Sequence, residues 1–258
     1  MASSGPSLGA LDDLRQTLGE SVLLTLFTHE VKLGFKAWVY RGWLVLSLFF
    51  LFFFLLIDFT GGPAGMSIIL LMYYFAFAGS LYYIVMSSAS ITGELDGIAD
   101  SLLSKAVRRW EYILSKYLSQ VFLALFVFAL IMGLASLILW GFDRVPEDLD
   151  WWNTTVLAGM IVLVVTFFTC LGVMFSSMVN RTVFAFLMGM LVWFVLIFLH
   201  AVNPGWETIY SPIVILNNGE EILAGSWDID WWKLVAFYAL SPVGCFLVSL
   251  VFFYNRDL

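Results

Sequence analysis

Charge is scarce in this chain. Asp, Glu, Lys and Arg make up 12% of its 258 residues, while 62% are hydrophobic; soluble domains carry about 25% charge. A water-soluble fold of this length has no interior large enough to hide so much apolar surface, so a soluble globular domain is excluded. Histidine and cysteine occur twice each. His200 stands without a carboxylate or cysteine beside it, His29 is one polar residue of a helix face, and neither a His-Glu-x-x-His motif nor an Asp pair lies in an apolar run. An intramembrane enzyme therefore has no catalytic constellation to work with. A Gly-x-x-x-x-Gly-Lys-Ser/Thr loop is also missing, and with it the usual cradle for nucleotide phosphates. Cys170 and Cys245 both fall inside apolar runs, where they read as small hydrophobic side chains.

What the chain has instead is long stretches without charge. Crossing about 30 Å of hydrocarbon takes about 20 predominantly apolar residues in a helix. Six such runs occur, at about 42–59, 66–91, 117–142, 155–179, 183–202 and 234–254, with Asp58 the lone charge and at an edge. The expected fold is all-α, a polytopic membrane protein of six transmembrane helices. Lys and Arg stay on the cytoplasmic side during insertion. Ten of the twelve lie before the first run, between runs two and three, between four and five, or after the last. Arg144 and Lys233 alone fall on the other side, with ten acidic residues. Both termini are thus expected in the cytoplasm, and the membrane is expected to be a prokaryotic inner membrane. Trp140, Trp151, Trp152, Trp206, Trp227, Trp231 and Trp232 gather at the opposite, outer ends, where indole rings prefer the headgroup level.

Outside the runs, residues 1–19 read as a disordered tail rich in small residues, and 20–258 as one membrane domain. Within 20–39, Leu24, Phe27, Val31, Phe35 and Trp38 share a helical stripe while His29, Lys32 and Lys36 share another, the pattern of an interfacial amphipathic helix. The loop after the second run mixes short apolar stretches with four basic and four acidic residues, which suits either docking on a cytosolic partner or binding of lipid headgroups. Asn203 to Trp232 contains Pro204, Pro212 and several glycines, and suits short helices dipping into the outer leaflet or a surface loop.

In the second run Tyr73, Ser80 and Ser87 recur every seven residues, and in the fourth Thr166 and Thr169 lie close together. Such residues pack helices against each other or line a path for cargo. Ionisable residues are absent from the middle of every run, which disfavours proton- or ion-coupled transport.

A cytoplasmic amphipathic helix, two spans, a loop carrying Ile91, Glu94, Gly97, Leu102, Leu103, Ser104, Lys105, Val107, Arg108, Arg109, Ser115 and Lys116, then four spans with an irregular outer segment, resembles the ABC-2-type exporter permeases. The resemblance covers nearly the whole chain and is most specific over 94–116. It implies a coupling helix that docks on a separate ATPase through Glu94, Leu102, Leu103, Ser104, Lys105, Val107, Arg108 and Arg109. Ala106 stands where many relatives have proline. It further implies a second permease subunit, as homodimer or heterodimer, with ATP and Mg held by the partner ATPase and no cofactor on this chain. Membrane lipid is an expected partner and nucleic acid is not. The alternative is a mechanical or anchoring subunit that passes ATPase motion to an envelope protein at the acidic outer surface.

Overall fold

The structure, a computed structural model, describes residues 8–61, 65–93, 108–145, 150–202, 211–219 and 231–254. Among them the regular elements are all helices: α1 Leu8–Lys36, α2 Trp38–Phe59, α3 Met66–Ser88, α4 Arg109–Gly141, α5 Trp151–Met178, α6 Thr182–Val202, α7 Pro212–Asn217 and α8 Trp231–Tyr254. Five of these, α2, α3, α4, α5 and α8, are long and apolar enough to cross a membrane, which makes the chain a multi-pass integral membrane protein. In α6 the described apolar stretch runs over Thr182–Phe198. Helix α1 takes in 8–19, the stretch that composition assigned to the tail.

Helix α5 is the centre of the bundle. Its most apolar window is 67% buried, against 28% in α2 and 22% in α8. It packs along α8 on one side and along the second half of α3 on the other, and also touches α4 and α6. Ile161, Val164, Val165 and Phe168 are wholly enclosed there. The perimeter helices turn large apolar side chains outward: Phe49, Phe52 and Phe53 on α2, Leu187, Leu191 and Phe194 on α6, Leu240, Val243 and Leu247 on α8. With hydrocarbon as the solvent this costs nothing, because lipid tails are as apolar as leucine.

The hairpin of α2 and α3 closes through one carboxylate. Gly61 and Gly65 take positive φ values of 104° and 78°, which glycine adopts without a Cβ clash. Gly65 is the N-cap of α3 and offers no side chain, so Asp58 of the preceding helix supplies the acceptor. Its carboxylate takes the Ser67 N–H at 3.4 Å and the Ser67 hydroxyl at 2.5 Å, at the end of a helix where negative charge is favoured. Asp58 is fully enclosed yet satisfied.

Helix α3 is not regular throughout. Phe75–Gly79 form a π turn, a wider winding that admits about one extra residue. Residues eight apart on an α-helix are about 80° apart; the π turn absorbs that excess and brings Tyr74 and Tyr82 to one face. Both stack on Trp43 of α2, with ring centroids 5.3 and 4.1 Å away and planes within 13° and 8°. The Trp43 indole donates to the Tyr83 hydroxyl at 3.2 Å, which donates to the carbonyl of Ala124 in α4.

Helix α1 lies along α4. Phe27 meets Phe122 edge-on at 5.7 Å and Phe35 meets Phe126 at 5.3 Å. At Gly34 the helices approach so closely that a Cβ would run into the Leu123 side chain. Only part of the expected apolar stripe is used in this contact. Phe27, Val31 and Phe35 pack inward, whereas Leu24 is 60% exposed and Trp38, beyond the break at Ala37, is 83% exposed.

Candidate functional site

Residues 94–107 lie outside the described residues, and the chain on either side of them is anchored in detail. On the leaving side the last turn of α3 is capped by hydroxyls. Ser88 donates to the Ile84 carbonyl at 2.6 Å, Ser90 to Ser87 at 2.6 Å, and Thr92 to Ser88 at 2.9 Å, so the terminal carbonyls of Ser87 and Ser88 both accept from hydroxyls. The backbone N–H groups of Ile91 and Thr92 both donate to the Ser176 hydroxyl of α5, each at 3.0 Å, which uses its two lone pairs. Thr92 and Thr182, at the start of α6, share a hydrogen bond of 2.7 Å. Three helices therefore hold the chain at the point where it departs.

On the returning side Glu111 accepts the Arg108 N–H at 3.2 Å and places a carboxylate in the first turn of α4, where the helix dipole favours it. The Arg109 guanidinium donates to the carbonyls of Phe253 and Tyr254 at 3.3 and 3.0 Å, a cation on the last turn of α8. Tyr112 stacks on Phe253 at 5.8 Å, and Tyr117 bonds Ser249 at 2.6 Å. One turn along, Lys116 is enclosed at 1% exposure and pairs with Glu30 of α1, itself 12% exposed, at 2.8 Å. The ammonium also lies 5.4 Å from the centre of the Tyr112 ring. The base of α4 is thereby tied to both α8 and α1.

Of the coupling residues expected from the sequence, Glu94, Leu102, Leu103, Ser104, Lys105 and Val107 lie outside the described residues. Arg108 is exposed at the start of α4, while Arg109 is half-buried and committed to α8. The polar residues of the spans are placed as follows. Tyr73 donates to the Leu216 carbonyl and so holds α7 against α3. Ser80 is enclosed; it donates to Phe77 at 2.8 Å and accepts the Trp193 indole N–H of α6 at 2.8 Å. Ser87 is enclosed against Gly172 of α5. Thr169 is enclosed and donates to Val165 at 2.7 Å, and Thr166 is half-buried. Within the single chain the hydroxyls of Tyr73, Ser80, Ser87 and Thr169 are engaged with backbone or with neighbouring helices.

Sequence reasoning missed Glu30, Thr92 and Thr182, and did not pair Lys116 or Ser176 with them. A signal was present for the first: Glu30 is the only acidic residue between 21 and 57, a stretch otherwise basic and apolar. Among the described residues no group of three or more His, Cys, Asp or Glu is arranged to hold a metal ion. No protein-family model matches the chain, and no curated protein matches it.

Proposed function

We propose that this chain is the membrane subunit of an ATP-driven exporter of the ABC-2 type. In this reading it has six spans with α6 as one of them, both termini in the cytoplasm of a prokaryotic cell, and α1 in the inner-leaflet interface. It pairs with a second permease subunit and takes its energy from a separate ATPase docked on 94–116. The observation that carries the reading is the two-sided anchoring of that loop. A push on the loop is passed at one end to α3, α5 and α6 through Ile91, Thr92, Ser176 and Thr182, and at the other to α4, α8 and α1 through Arg109 and Lys116. A passive turn needs neither attachment. Because packed helices move as rigid bodies rather than deform, force on the loop reaches whole helices at both of its ends.

The test is co-purification of ATPase activity with the tagged chain after gentle detergent extraction, comparing wild type with Lys105→Glu/Arg108→Glu. Arg109 is left intact because it holds α8. ATP hydrolysis that follows the wild type and is lost with the charge reversal, at equal membrane abundance, supports the reading. A wild type that carries no ATPase defeats it.

A further inference from the structure

The junction of α1 and α2 carries one sign of charge. Over 22–41 the sequence has Lys32, Lys36, Arg41 and His29, with Glu30 as the single acid. The fold removes that acid from the surface by turning it inward onto Lys116. His29, Lys32 and Lys36 stay exposed on the side of α1 opposite its contact with α4, and they fall on one face by their spacing of three and four. Arg41 is exposed one turn into α2, where its Nε–H donates to the Phe35 carbonyl at 3.1 Å and brings the guanidinium back over the elbow. No acidic side chain described in this segment offsets these cations. Beside them the Trp38 indole is 83% exposed and Leu33 is 45% exposed, at the point where the first long apolar helix begins. Basic side chains around an exposed indole, at the foot of a membrane-crossing helix, match the headgroup layer in both charge and polarity.

We propose that the exposed face of this elbow, Lys32, Lys36 and Arg41 around Trp38, binds the phosphate of anionic phospholipid headgroups. The surface does not depend on the transport reading. Each basic residue near an anionic bilayer strengthens binding about fivefold, so removing two weakens it about thirtyfold.

The experiment uses the full-length chain, delipidated in detergent and then offered phosphatidylglycerol or phosphatidylcholine, with retained lipid counted by native mass spectrometry. Wild type and Lys32→Arg/Lys36→Arg should both retain phosphatidylglycerol in preference to phosphatidylcholine, and Lys32→Gln/Lys36→Gln should bind it about thirtyfold more weakly. Both lysines are exposed, so an unchanged melting temperature separates lost binding from lost fold. Equal retention of the two lipids by wild type, or full retention by the Gln variant, overturns the proposal. Release of phosphatidylglycerol by millimolar inorganic phosphate also overturns it, in favour of a free-anion site.

Discussion

Replacing Glu30 with alanine should be among the most damaging single changes in the chain. Lys116 is 1% exposed and 2.8 Å from the Glu30 carboxylate. After Glu30→Ala the enclosed ammonium loses the Glu30 carboxylate, and removal of one partner of a buried pair costs about 3–5 kcal/mol. The mirror change, Lys116→Met, is milder. It leaves a carboxylate that is 12% exposed, so water reaches it and the cost falls to about 1–3 kcal/mol. Glu30→Leu with Lys116→Met removes both charges and keeps the volume, and should lie within about 1 kcal/mol of wild type. At about 2–4 °C per kcal/mol for a chain of this size, Glu30→Ala should lower Tm by about 6–20 °C in a detergent thermal-shift assay read by size exclusion. The same variant should be cut faster by trypsin at Lys32 and Lys36, since α1 loses a tie to α4. If Glu30→Ala melts with wild type, or if the double variant melts as low as Glu30→Ala, the pair is not what seats α1 and the reasoning fails.

Two other changes probe contacts of different kinds. Gly172→Ala should destabilise by about 1–3 kcal/mol, because its Cβ would meet the Ser87 hydroxyl and lie 3.1 Å from the Ile84 carbonyl; combining it with Ser87→Ala should recover part of the loss, and no recovery in the thermal shift would place the strain elsewhere. Asp58→Ala should cost about 1–2 kcal/mol by uncapping α3, read as a lower denaturation midpoint, with Ser67→Ala smaller because the Ser67 N–H keeps its acceptor.

The helical, membrane-crossing character was legible because it rests on local composition, which a single sequence carries in full. Boundaries were less so. Counting uncharged residues starts the third span at 117, yet α4 begins at Arg109, since Lys116 is hidden by a partner and a helix does not stop at a charge. The seven-residue spacing of Tyr73, Ser80 and Ser87 assumes regular winding. It holds from Ser80 to Ser87, both within α geometry, but the π turn at Phe75–Gly79 lies between Tyr73 and Ser80 and rotates the one away from the other. Tyr73 accordingly meets α7, whereas Ser80 meets α6. The anchors of the loop were not legible at all. Arg109 bonds a carbonyl 145 residues away, and nothing in the local pattern distinguishes it from Arg108, which is exposed. For the loop between those anchors the sequence remains the guide, through the residues from Glu94 to Val107.

The Asp58–Ser67 closure bears on how the protein is made. The two residues are nine apart, so the contact can form as soon as the first hairpin leaves the ribosome and before any later span exists. In the orientation proposed here the turn between α2 and α3 has to be carried across the bilayer. The carboxylate then travels with its donors already attached, and α2 and α3 enter the membrane as one hairpin rather than as two helices in turn.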